Sequence, residues 1–329
     1  MRVHTLSLTL TLLRYSLLDC QYCPLAQEAL LHISGPDTIT FLQGQTTCDA
    51  RNINPQQALP GIYCTPQGRV VCDFLLAQLG EEHYAMRMRR DIRDNSSAVF
   101  GKYIIFSKAS LDASRDDWQT FALWGQDAAS TVSRLIGSAP AEQYAAVTGN
   151  GLVVIQMDSR GEQFECLVNT AVNPQAEDQL AQMSTRGAES DWQALQIVKG
   201  IARIESATVE EFVPQTLNYD LTGHISFDKG CYTGQEVVAR LHYRGTPKRR
   251  MYLATLPKGS ADAMAGSPVF SNSAGQSVGN IINSVTLAES DLALVAATQT
   301  SVEQDLHLGD DQGPLLVIGE LPYQEQLQG

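Results

Sequence analysis

Lys229-Gly230-Cys231-Tyr232-Thr233-Gly234-Gln235-Glu236 puts a thiol beside a cation, between two glycines, just ahead of a marked helix start. Thr233 and Glu236 have the T-x-x-E spacing of a capping box, in which each side chain satisfies a backbone N–H at the helix entrance. The spacing predicts a helix from about Gly234 to Arg244, stopped by Gly245 as a left-handed residue beyond the last turn. Cys231 then lies just outside a helix N-terminus, where the macrodipole and Lys229 both favour thiolate over thiol. A glycine-rich turn carrying a small, half-buried cysteine accounts for the same residues, since lone cysteines are usually inert hydrophobes. If capping explains Thr233, Gly234 and Glu236, then Lys229, Cys231 and Gln235 are left needing a chemical reason.

Outward from this stretch, the 329 residues are too many for one ordinary core and imply two or three domains. A hydrophobic fraction of 43% with 18% charged residues fits a globular chain. The net charge of −13 opposes broad binding to phosphate backbones, so direct nucleic-acid binding is disfavoured. Locally the sign reverses. Lys229, Arg240, Arg244, Lys248, Arg249 and Arg250 face only Asp228 and Glu236 between 228 and 250, giving either a solvated basic face or a mouth for an anionic ligand.

Seven cysteines, an odd number without a disulfide-like framework, imply a reducing, cytoplasmic setting. Leu6 to Leu18 is apolar but broken by polar residues, too short to span a bilayer and not followed by a cleavage site. Residues 1–24 read as an N-terminal extension, disordered or foreign to the fold. Cys20-x-x-Cys23 within it is a weak metal or redox signal, because no second Cys/His pair follows at zinc spacing.

From 25 to 245 the pattern is α+β. A strand at Ala29–Ile33 precedes a helix opened by Gly35-Pro36-Asp37, and a hairpin turns at Thr65-Pro66-Gln67-Gly68. A strand at His83–Met88 leads into a helix of mixed charge, and the same style returns from Trp118 to Gly200. Ser190-Asp191-Trp192-Gln193 reads as a second capping box. These β-β-α runs suggest two subdomains of ferredoxin-like layers. Short strands separated by Gly, Pro, Ser and Asn from 246 to 322 read as a small β-barrel. No internal repeat is legible.

Metalloprotease, serine-hydrolase, Walker and dinucleotide motifs are absent. Arg87, Arg89, Arg90 and Arg93, interleaved with Asp91 and Asp94, fit ordinary helix-surface pairing. Asp73 lies in the apolar run Val70–Leu76, either turned to solvent by alternation or held in a polar pocket. Arg203 and Glu205 share a face of the presumed strand Ile201–Glu205, either as a surface pair or with the Glu205 carboxylate accepting paired N–H donors from a heterocycle. Trp192, with Leu195 and Val198 on its side of a helix, fits a core position by spacing.

With these residues in hand, the chain resembles the YgfZ-type folate-binding proteins, relatives of the T-protein of the glycine cleavage system. The Lys229–Glu236 octapeptide matches that group's signature at every position. Phe41-Leu42-Gln43-Gly44-Gln45, Thr65–Arg69, Lys102-Tyr103 with Phe106-Ser107-Lys108, Phe212-Val213-Pro214-Gln215 and Ile225-Ser226-Phe227 extend the likeness over about residues 25–320. The resemblance implies a three-domain ring around a cavity for tetrahydrofolate or a derivative. It also implies a role in maturing or repairing iron–sulfur enzymes, including those that thiolate tRNA, with no membrane association. Cys231 inherits the family's required cysteine, with Lys229 steadying the thiolate and Gln235 positioning it. Trp192 matches a tryptophan associated with folate, for which aromatic stacking gives a physical reason. Across the subfamily boundary, Asp73 falls where the T-protein has its catalytic carboxylate and Glu205 where a carboxylate meets the pterin. The second class implied is thus a folate-dependent aminomethyl or one-carbon transferase. One departure is Glu28, which stands where close relatives often carry an aromatic residue.

Overall fold

The computed structural model describes residues 19–260, 263–272 and 275–327. It contains two antiparallel-rich sheets and one closed barrel. In chain order the first part is β1 (Gln21–Pro24), β2 (Glu28–Ser34), α1 (Thr38–Gln45), β3 (Leu59–Cys64), β4 (Val70–Gly80), β5 (His83–Arg89), α2 (Arg90–Ile104) and β6 (Ser110–Asp112). The second part is β7 (Trp118–Trp124), α3 (Ala128–Ile136), β8 (Ala146–Gly149), β9 (Leu152–Gln156), β10 (Gln163–Asn169), α4 (Ala176–Met183), β11 (Thr185–Arg186) and α5 (Glu189–Val198). After α6 (Gln235–Arg244) come β12 (Arg249–Pro257), β13 (Pro268–Ser271), β14 (Gly279–Thr286), β15 (Ser290–Thr298), β16 (Leu306–Leu308) and β17 (Leu315–Gly319).

The first sheet has the order β3-β4-β5-β2-β6, and the second β8-β9-β10-β7-β1-β11. Each is built by the same run of strand, helix, three strands, helix and strand. The only difference in order is β1, inserted between β7 and β11. The duplication is invisible as repeated sequence but has matching hinges. Gly35 and Gly125 follow the first strand of each unit at φ +124° and +125°. A Cβ at either would collide with a backbone carbonyl, that of Lys108 or Asp19. Asp37 and Asp127 then precede the helices.

The insertion of β1 corrects the boundary drawn at residue 24. Gln21–Pro24 pairs antiparallel with β7, and Cys20 and Cys23 are buried. Burial pushes the Cys23 thiol up to about 12, opposite to a metal-ready thiolate. The apolar stretch before Leu18 lies outside the described residues.

The C-terminal strands close into a six-stranded barrel in the order β12-β15-β14-β13-β16-β17, as the short-strand pattern predicts. Its strand β16 was not legible, because Leu306–Leu308 is only three residues long. The barrel meets the first two units through Asn283 of β14, whose amide exchanges hydrogen bonds with the backbone of Arg203.

Candidate functional site

Strand alternation gathers the first cluster. Leu30 of β2, Arg87 of β5 and Leu75 of β4 lie directly opposite one another across the sheet. Residues two positions away share their face, so Glu28, Asp73, Arg87 and Arg89 all project from one side. Glu165 on β10 approaches from the second sheet, and Arg203 from the segment after α5. Arg203 donates from Nε to Asp73 at 2.6 Å and from its two terminal nitrogens to Glu28 at 3.0 and 2.9 Å. Arg87 bridges Glu28 at 3.4 Å and Glu165 at 2.9 Å.

All five side chains are largely removed from water. If every group is ionised, three carboxylates and two guanidiniums leave one excess negative charge. Burial, only partly offset by Arg87 and aggravated by Glu28, pushes the Glu165 carboxyl up. Burial acts upward on Glu28 too, but Arg203 and Arg87 outweigh it and hold that carboxyl below its usual range.

This arrangement revises several expectations. Residues 201–205 form no strand, and Arg203 and Glu205 point to different partners. Asp73 is not turned to solvent: it is buried, with its second oxygen accepting from the Ile204 N–H at 2.6 Å. Arg87 and Arg89 belong to β5 rather than to a helix surface, and Arg93 pairs with Asp94 and Asp116.

Beside this cluster opens a pocket of about 660 Å³ including its mouth, lined by Glu28, Arg89, Trp192, Arg203, Glu205 and Asn283 among others. Trp192 is both core and lining. It is nearly buried and packs at 6.0 Å from Trp124, yet it borders the cavity. Its helix begins at Glu189, one residue before the expected cap, with the Asp191 carboxylate accepting from the Ala188 N–H. Glu205 accepts from the Asn283 amide at 2.9 Å through Oε1 and lies 4.0 Å from Arg89. Its Oε2 has no protein donor among the described residues.

The Cys231 loop lies elsewhere, against the turn end of the β3–β4 hairpin. The capping box does not form: Gly234 is the N-cap at φ +84°, and the Thr233 hydroxyl donates to Gln45 instead. Glycine is required there by space as well as by φ, since a Cβ would stand 2.6 Å from the Thr65 carbonyl oxygen. Gly245 is extended at φ −132° rather than left-handed. Gln235 is the first helical residue and is half-buried.

Lys229 is buried and does not reach the thiol. Its ammonium donates to the carbonyls of Gln43, Thr46 and Cys48 at 2.9, 2.5 and 2.7 Å, closing the C-terminal end of α1. Burial lowers this amine to about 8. Its ring contact is Tyr232, 5.2 Å from the ammonium. Lys229 thus anchors the loop to α1. Cys231 alone of the seven cysteines is exposed.

The residues sequence reasoning missed are Arg87, Glu165 and Asn283, with Glu28 noted only as a departure. Their signal was available: a lone Glu in Phe164–Val168, and Arg87 and Arg89 alternating with Met86 and Met88. Among the described residues no group of three or more His, Cys, Asp or Glu is arranged to hold a metal, and no helix is long and apolar enough to cross a membrane.

Two sheet units, a closing barrel and a pocket between them define an α+β protein of the aminomethyltransferase fold. The glycine cleavage system aminomethyltransferase T from Bartonella henselae superposes with a TM-score of 0.73, covering 94% of this chain and 87% of that one. At 15% identity that likeness concerns fold alone. The family model described as the GCVT N-terminal domain matches residues 22–152. The tRNA-modifying protein YgfZ of Klebsiella pneumoniae is 30% identical over 298 residues, 90% of each chain. That of Cronobacter sakazakii is 33% identical over 227 residues, 69% of this chain and 68% of its own length. The chain belongs to the YgfZ family of tRNA-modifying proteins.

Proposed function

We propose that this chain is a cytoplasmic folate-binding accessory protein that supports assembly or repair of iron–sulfur enzymes, including those that thiolate tRNA. The observation that carries this reading is the contrast among its thiols. Six are buried, whereas Cys231 stands in water on a loop fixed by three carbonyl bonds to Lys229 and by the glycine-only turn at 234. Such a thiol can meet a macromolecular client without the chain opening.

The pocket takes tetrahydrofolate or a derivative. Trp192 offers a flat apolar face for a pterin, and the open Oε2 of Glu205 accepts from its N–H groups. Arg203 is held in place by Glu28 and Asp73 at the inner end. Gln235, at the first turn of α6, orients Cys231.

Aminomethyl transfer is the weaker reading, because Asp73 would have to serve as acid or electrostatic group at the folate amine. Both its oxygens are already engaged, by Arg203 and by the Ile204 N–H. Calorimetric titration with a reduced folate tests the pocket. Trp192→Ala and Glu205→Ala should each weaken binding about tenfold or more, on the scale of one lost stacking or hydrogen-bonding group. Unchanged affinity in both variants moves the ligand elsewhere. Turnover of an aminomethylated carrier to methylenetetrahydrofolate by the purified protein would restore the transferase.

A further inference from the structure

We propose that the face around Cys231 is a docking surface for an acidic, partly apolar protein surface, that of the iron–sulfur client. This inference rests on the functional reading above and adds where and how the client is met.

Two exposed apolar groups lie on elements linked to the loop. In the first, Ile105 and Phe106 are 72% and 85% exposed at the end of α2, next to Tyr103. The helix that carries them packs toward the loop through Phe100, whose ring lies 4.7 Å from that of Tyr63. Tyr63 bridges Thr46, and Gln45 beside it accepts from Thr233. In the second, Phe227 stacks on His242 at 3.7 Å, with Tyr243 edge-on and 66% exposed. Large apolar side chains this exposed and this close in sequence are unusual on a solvated surface and mark interaction sites.

The same elements carry six cations without an ion pair. Lys102, Lys108, Arg240, Arg244, Lys248 and Arg249 have no carboxylate partner among the described residues. The only acids in residues 102–108 and 227–249 are Asp228 and Glu236. The cation excess read between 228 and 250 is thereby redistributed. Arg250 pairs with Asp220 at 2.7 Å and Lys229 is buried, while the α2 end adds two lysines. A cationic, aromatic face on a chain of net charge −13 complements an acidic partner.

Arg with aromatic residues is the composition of protein interfaces, and an aliphatic Ile105 favours a protein over a nucleic acid. Among the described residues a second copy offers no acidic, apolar patch to match. The other exposed large hydrophobics, Val172, Met264 and Leu315, lie on three separate segments.

The test is equilibrium binding of the full chain to a purified tRNA-methylthiolating iron–sulfur enzyme, at low and physiological salt. The expected result is salt-sensitive binding weakened at least tenfold by Arg240→Glu with Arg244→Glu, and by Ile105→Ser with Phe106→Ser. Reduced-folate affinity in the same variants should be unchanged, which shows that they fold and separates this surface from the pocket. Enzyme binding that ignores these substitutions overturns the proposal. So does absence of binding with folate affinity intact, a result that leaves the thiol reading to its own test. Salt-resistant binding of unmodified tRNA that is lost in Arg240→Glu/Arg244→Glu, or self-association lost in both double variants by sedimentation, reassigns the face and also overturns it.

Discussion

Midway along β4, around Arg203, five charged groups lie out of water and satisfy one another. At the turn end of the same hairpin, around Cys231, the backbone is fixed as firmly but the thiol is left in solvent. The first region is costly to disturb because each charge depends on its partners. The second is cheap to disturb at its side chain and costly only at its backbone. The difference teaches that the charges that hold the fold and the exposed thiol are separate residues, so substitutions should dissociate stability from the function proposed for Cys231.

The largest expected effect is on the cluster. Arg203→Met leaves Asp73 and Glu28 without their main cation, and breaking one partner of a buried ion group costs about 3–5 kcal/mol. Denaturant unfolding should show that loss, and an unfolding free energy within about 1 kcal/mol of the parent's would make the cluster ornamental. Acid acts in the same region. Burial lowers His224, near Asp73 and Arg203, to about 4, and likewise lowers His32 to about 4. Between about pH 6.5 and 4 the unfolded chain therefore binds protons that the folded chain refuses. Stability should fall as pH falls through that window, by at most about 1.4 kcal/mol per pH unit for each histidine. Below that, Glu28, with its depressed folded value, loses its contribution as it protonates. Unfolding midpoints at pH 7, 6 and 5 check the slope, and His224→Phe should flatten it.

At the loop the effects shrink. Gly234→Ala adds a Cβ against the Thr65 carbonyl at a left-handed φ, a strain of about 1–3 kcal/mol. A thermal midpoint equal to the parent's would show that the loop relaxes freely. Cys231→Ala, at an exposed position, should change stability by less than about 0.5 kcal/mol.

The contrast also marks what was legible in the sequence. Most strands and helices of the two sheet units, and the barrel, follow from alternation, turn residues and period. The short strands β1, β6, β8, β11 and β16 do not, because so few residues carry no clear period and are held by neighbours. Trp192 and Asp73 were named singly and Arg203 with Glu205 as a pair, and the structure gathers them at or beside one pocket. Their partners Glu28, Arg87 and Glu165 come from three other strands, and nothing local signals a pairing across 59 to 175 residues. The capping box failed for the opposite reason. Thr233 had a local partner in Glu236, but Gln45 from α1 competed for it, and Gly234 took the cap.

The most direct test is rescue of tRNA methylthiolation in a strain lacking this gene, by the parent chain and by Cys231→Ala at matched protein levels. Because the substituted protein should fold and bind reduced folate as the parent does, the account predicts that it fails to restore the modification. Full restoration by Cys231→Ala would contradict the account and remove the exposed thiol from the function.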